Sequence, residues 1–255
     1  MSKGSTQKVS RLLVAAREEG MVAWDWIVDE TRAPECVASW DNPSSIIGAA
    51  VSQYRKDYWA DQPNRVEVWS EKGTVRGTLA PVLRDYGVTF RVQHGYGSAT
   101  AIHDAAQDSV ANDKPLTVLY TGDFDPSGLH MSAADLPERV ARYGGRVAIK
   151  RVALTADDVA PGTAIPGFDA ASKIKDPRYQ WFRRRYGTRC WELDALSPVT
   201  LRARVAAAIA DLLDVGKWNR AVQVERADRE SMKDFLDTWQ RTISIPVSKC
   251  PEGAP

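Results

Sequence analysis

Between about Val66 and Val152 the sequence alternates short apolar runs with longer segments of helical spacing, and this constrains the fold more than any other feature. Val66 to Ser70 reads as a strand, and Val75 to Tyr86 as a helix that stops at Gly87. Val88 to Gln93 is a second strand, Ala99 to Ala111 a helix and Leu116 to Tyr120 a third strand. Leu129 to Tyr143 is a helix ended by Gly144-Gly145, and Val147 to Val152 a fourth strand. Strands separated by helices pair in parallel, and a parallel sheet needs cover on both faces. The expected class is therefore α/β, a parallel sheet with helices on both faces. Ligands of such sheets bind beyond the carboxyl ends of the strands.

The flanks differ from this core. At 255 residues the chain is long enough for one main domain with smaller appended pieces. Residues 1–62 read as mostly helical, 63–160 as the α/β core, and 161–255 as a basic, aromatic segment with an acidic motif and C-terminal helices. Val9 to Glu19 is amphipathic and basic, breaks at Gly20, and precedes the cluster Trp24-Asp25-Trp26 and Asp29-Glu30-Thr31-Arg32. It fits either a small winged-helix unit or a helix packed on the sheet. Ala160 to Gly167 is a Pro- and Gly-rich loop, Leu201 to Leu213 a strong helix, and Arg220 to Arg241 a charged, solvated one. The tail after Pro246 is expected to fray.

Two carboxylate signals stand at strand ends. In Tyr120-Thr121-Gly122-Asp123-Phe124-Asp125-Pro126-Ser127-Gly128, Gly122 permits a tight turn, and Asp125 suits the cap of a helix with Pro126 at its first position. Residues two apart on extended chain face the same way, so Asp123 and Asp125 can converge on one hard cation. Upstream, Val66-Glu67-Val68-Trp69-Ser70-Glu71-Lys72 is another apolar strand ending in a carboxylate. The two strand ends are expected to meet.

Glu71 after the first strand, Gly95-Tyr96-Gly97-Ser98 after the second, and Gly122 to Gly128 after the third resemble the Toprim domain of topoisomerases, primases, recombination proteins and overcoming-lysogeny-defect nucleases. The Gly-Asp-x-Asp-Pro-x-Gly form is similar to the A subunit of topoisomerase VI and its meiotic double-strand-break relatives. Trp191-Glu192-Leu193-Asp194-Ala195-Leu196 resembles an acidic segment that follows the Toprim core in that group. Glu-Val-Trp-x-Glu-Lys and Trp-Glu-Leu-Asp-Ala-Leu are similar to bacterial and phage Toprim proteins of unassigned function, over about Val9 to Leu213.

The resemblance implies a Toprim-type sheet and Mg²⁺- or Mn²⁺-dependent chemistry on phosphodiester bonds. Asp123 and Asp125 would then be metal ligands, and Glu71 a third ligand or the general acid/base, its pKa raised by crowding. Glu192 and Asp194 would approach the metal from outside the core or pair with local arginines. Topoisomerase VI-like enzymes attack DNA with the tyrosine of an Arg-x-x-Tyr-Tyr motif. Here Arg55-Lys56-Asp57-Tyr58 matches the spacing, but Trp59 follows, so Tyr54 and Tyr58 read as packing or DNA-contacting residues ahead of nucleophiles, with Tyr58 the one candidate for that role.

The formal net charge is only +1, yet Lys173, Lys175, Arg178, Arg183, Arg184, Arg185 and Arg189 face a single acid, Asp176, within seventeen residues. Tyr179, Trp181, Phe182 and Tyr186 interleave with them, which suits phosphate contact combined with base stacking. Lys72, Ser98 with Gly97, and Ser127 with Gly128 are further positions able to meet a phosphate. His94 lies at a strand end, and His103 and His130 read as surface or packing residues; none is expected to bind metal. Trp69, beside Glu71, is the tryptophan placed to shape the pocket. Cys36, Cys190 and Cys250 lack paired metal spacing, and neither a signal peptide nor a span-length apolar run is read, so a cytoplasmic protein is expected. Three functions follow as expectations: a Mg²⁺-dependent nuclease on DNA; a non-catalytic, metal-dependent DNA-binding or assembly protein, as a homodimer or with a partner; or a topoisomerase VI A-like subunit using another chain's tyrosine.

Overall fold

The alternation of strand and helix is realised in the computed structural model, which describes residues 3–23, 37–93 and 98–243. The chain divides into two units, Met1–Ala49 and Ala50–Pro255. In the first, α1 (Lys3–Glu18) ends before Gly20, whose φ of 75° is a left-handed turn, and α2 (Pro43–Gln53) begins. The described residues of this unit contain helix and turn but no strand. Trp24 to Trp26 and Asp29 to Arg32 lie outside the described residues, as do Cys36, Cys250 and the tail after Pro246.

The second unit holds the sheet. Its strands are β1 (Arg65–Ser70), β2 (Thr89–Val92), β3 (Leu116–Thr121) and β4 (Val147–Ala153), all parallel, in the order β2-β1-β3-β4. Between β1 and β2 runs α3 (Val75–Tyr86), and Gly87 ends it at φ 60° while its N–H bonds back to the last turn. Between β2 and β3 runs α4 (Ala99–Ala111). The β3-to-β4 connection is one continuous helical path: α5 (Pro126–His130), a π-helical turn (Met131–Asp135) and α6 (Leu136–Arg142). Beyond the sheet come a two-residue ladder of β5 (Phe168–Asp169) with β6 (Arg189–Cys190), then α7 (Tyr179–Tyr186), α8 (Pro198–Ala210) and α9 (Val215–Ile243).

Side-chain parity explains why the strands are apolar throughout. Val66 and Val68 of β1 and Leu119 of β3 face one layer, where Val75, Leu79 and Val82 of α3 pack beside Leu201, Val205 and Ile209 of α8. Trp69 of β1 and Leu116, Val118 and Tyr120 of β3 face the other, against Ile102, Ala105 and Ala106 of α4 and Leu136 and Val140 of α6. Both faces are covered, so both parities must be apolar. Trp69 therefore belongs to the core, fully buried, and its indole N–H donates to Glu67 Oε2 at 2.7 Å. Among the described residues no helix is long and apolar enough to cross a membrane.

Strand order also fixes where a ligand site falls. The chain leaves β1 toward β2 on one side and returns to β3 on the other, so the carboxyl ends of β1 and β3 flank the point where connection direction reverses. Open α/β sheets have their crevice there.

Candidate metal centre

Glu71 lies one residue beyond the end of β1 and Asp123 two beyond the end of β3. The β1–β3 pairing runs on through Glu71 N–H to Thr121 O at 3.1 Å, and β3 stays tied to β4 through Gly122 N–H to Ala153 O at 2.7 Å. Glu71 Oε2 then accepts from the Asp123 N–H at 3.3 Å. Two glycines make room for this. A Cβ on Gly122 would meet the Tyr120 ring at 2.7 Å and Glu71 Oε2 at 3.1 Å, and one on Gly128 would meet Asp123 O at 2.4 Å. Asp125 caps α5 as expected, its Oδ1 accepting from Gly128 N–H at 2.7 Å and Ser127 Oγ at 3.2 Å. Its other oxygen is free of the cap, so capping and ligand duty do not exclude each other.

The expected carboxylates are neighbours, but their outward oxygens are taken by lysines. Lys72 Nζ lies 3.2 Å from Asp123 Oδ1, and Lys173 Nζ 2.9 Å from Asp125 Oδ2. Lys72 also holds Glu192 at 2.9 Å and Asp194 at 3.0 Å, which places that acidic pair at the rim, half-exposed, with Lys72 between it and Asp123. The Trp191 segment is bound to the centre by backbone. Phe124 and Trp191 exchange N–H···O bonds of 2.8 and 3.1 Å, and Leu193 N–H donates to Asp123 Oδ1 at 2.8 Å.

One organising residue escaped the sequence reading. Arg151 of β4 directs all five guanidinium N–H groups at the acidic loop and its surroundings: Leu154 O at 2.6 Å, Gly128 O at 3.0 Å, Ser132 Oγ at 2.8 Å, Gly122 O at 2.8 Å and Asp123 O. A bulge in β4 positions it, since Tyr120 pairs with Arg151 but Thr121 with Ala153. An isolated arginine on a strand gives no periodic signal. Its place opposite Tyr120, over whose ring it lies at 5.5 Å, emerges only from the sheet register.

Burial sets the charge balance. Asp123 is 7% and Asp125 2% exposed. Desolvation, followed by repulsion from Asp123 and Asp125, raises the Glu71 pKa from 4.5 to about 7. Desolvation also raises Asp123, against the Leu193 N–H and Lys72. Burial opposes the ammonium groups of Lys72 and Lys173, yet their carboxylate partners prevail and raise both. Arg151 is lowered by desolvation despite the surrounding anions.

Of the basic segment, the structure brings Lys173 to the acids. Arg178 pairs with Asp176 at 3.1 Å, Arg189 donates to Gly167 O at 2.9 Å, and Lys175 is exposed. Arg183, Arg184 and Arg185 are exposed on α7, whose Tyr179 and Phe182 turn inward and whose Trp181 is 42% exposed. Tyr54 donates to Asp228 at 2.8 Å, and Tyr58 sits against Trp218 and Glu225, so both tyrosines are engaged by α9. His103 is exposed beside Tyr143, and His130 ends α5. His94, Gly95, Tyr96 and Gly97 lie outside the described residues; Ser98 precedes α4 without a side-chain cap bond.

Comparison of the chain with protein-family models, curated proteins and solved structures finds no match. Among the described residues no three His, Cys, Asp or Glu side chains are drawn into a ready ligand cluster. The donor set nevertheless suits a hard divalent cation. Mg²⁺ takes one or two carboxylates and keeps several waters, and here two nearly buried aspartates each hold an oxygen toward an ammonium that a cation can replace.

Proposed function

We propose that the chain is a Mg²⁺- or Mn²⁺-dependent DNA-processing protein, most simply a nuclease, built on a Toprim-type centre of Glu71, Asp123 and Asp125. The observation that supports this reading is that Glu71, Asp123 and Asp125 lie at the reversal point of a β2-β1-β3-β4 parallel sheet, near enough for both aspartates to raise the Glu71 pKa. Asp123 and Asp125 would hold the cation, which when bound supplies charge neutralisation at a phosphate and activation of water. Glu71, whose pKa is raised to about 7 in the metal-free protein chiefly by desolvation, is the carboxyl group suited to exchange a proton with a reacting oxygen. Lys72 and Lys173, released from the aspartates, become phosphate contacts. The arginines of α7 extend the positive surface along the strand.

A second reading has its own support. Lys72 and Lys173 neutralise the aspartates internally, as suits a protein that binds DNA in a metal-dependent way without cutting it. One assay separates the two. Supercoiled and linear DNA are incubated with Mg²⁺ or Mn²⁺ and the wild type, Glu71→Gln or Asp123→Asn. Cutting by the wild type alone supports the nuclease, and metal-dependent binding without cutting supports the second reading. Undiminished cutting by both variants would remove the carboxylate centre from the chemistry.

A further inference from the structure

A cavity of about 510 Å³ opens beside the acidic loop, between the Val159–Ile165 stretch and the end of α7. Its size is that of a small-ligand pocket, typically about 300–1,000 Å³. Tyr186 and Trp191 give it aromatic walls, Thr163 and Thr188 add hydroxyls, and Arg189 is the only charged residue in its lining. No acid faces it. Gly167 lets the loop lie flat on one wall, since a Cβ there would meet Trp191 Nε1 at 2.7 Å.

Both aromatic walls rest on the residue between the two aspartates. Phe124 meets Tyr186 at 5.1 Å and Trp191 at 6.0 Å, each edge to face, and shares two backbone hydrogen bonds with Trp191. Planar aromatic walls, hydroxyls and a lone guanidinium suit a flat, neutral, hydrogen-bonding ring that carries a phosphate. Arg185 lies over the Tyr186 ring at 5.8 Å, which brings positive charge of α7 beside this wall.

We propose that this cavity receives a nucleobase, unstacked from a strand whose backbone passes over Asp123 and Asp125. The substrate of the centre is then single-stranded or locally unpaired nucleic acid. This rests on the phosphodiester reading above. Extruding a base from an intact duplex costs a few kcal/mol, which an unpaired strand avoids.

The test compares two fluorescein-labelled strands of equal length and charge, one intact and one fully abasic, by anisotropy in Ca²⁺ with the full chain. The intact strand is expected to bind about five- to a hundredfold tighter. Tyr186→Ala should bring the ratio of intact to abasic affinity close to one. Thr188→Val, isosteric and exposed, should lower it several-fold and guards against misfolding of the first variant. Adenosine monophosphate titrated alone distinguishes the source of the base: binding lost in Tyr186→Ala, with no base preference between strands, assigns the pocket to a free nucleotide. Equal binding of both strands without nucleotide binding overturns the pocket and leaves the metal centre standing. If neither strand binds, the phosphodiester reading fails, and absence of nucleotide binding then overturns the pocket as well.

Discussion

Replacing Glu71 with glutamine should stabilise the metal-free protein, and do so more as pH rises. The Glu71 pKa moves from 4.5 to about 7 on folding, chiefly by desolvation and then by Asp123 and Asp125. At 1.36 kcal/mol per unit, ionising it in the folded state costs about 3 kcal/mol. The folded state binds the proton more tightly, so this contribution is complete below pH 4.5, falls as pH rises and is lost above about 7. Glutamine keeps the acceptor for the Asp123 N–H and removes the charge. Urea unfolding followed by tryptophan fluorescence in EDTA, at several pH values from 5 to 8.5, gives the stability difference between variant and wild type. That difference should grow by about 2–3 kcal/mol across the range in favour of glutamine. Millimolar Mn²⁺ at pH 8 should stabilise both proteins through Asp123 and Asp125 and narrow the gap, because the cation also offsets the charge of ionised Glu71 in the wild type. A difference independent of pH would refute the raised pKa of Glu71.

Other residues bear on the same centre. Arg151→Lys provides at most three donors for five acceptors and should cost about 2–4 kcal/mol, read as a lowered midpoint in thermal unfolding. Gly128→Ala places a Cβ 2.4 Å from Asp123 O and should cost about 1–3 kcal/mol in urea unfolding, with weaker Mn²⁺ binding than in Gly77→Ala, whose Cβ meets nothing. Changing Arg183, Arg184 and Arg185 together to alanine should flatten the dependence of DNA affinity on salt by about two to three in log–log slope. An unaltered slope would take α7 out of the interface.

Much of the core was legible because local signals and tertiary demand agreed. Gly87 stops α3 where its φ of 60° requires glycine, Asp125-Pro126 starts α5, and the short apolar runs became buried strands. Val88 and Gln93 fell outside β2, which is four residues long, and the third core helix begins at Pro126 rather than Leu129. The π-helical turn at Met131–Asp135 was not read from the sequence, which there gives only a continuous helical spacing. At the site, the approach of Glu71 to Asp123 was anticipated only from a carboxylate at the end of each of two apolar runs, and the strand order that makes those ends neighbours came from the structure. The lysine partners were not anticipated, because Lys173 reaches Asp125 from a 3₁₀ turn after a loop whose path no periodicity records. Arg151 was hidden for the same reason: its role depends on a bulge and on carbonyls from three separate segments.

The central claim is that Asp123 and Asp125 hold a divalent cation together, and Mn²⁺ binding followed by electron paramagnetic resonance at pH 8 tests it most directly. Free Mn²⁺ signal should be quenched by the wild type, far less by Asp123→Asn or Asp125→Asn, and more strongly by Lys173→Met, which uncovers Asp125. Equal quenching by the wild type and both aspartate variants would contradict the account.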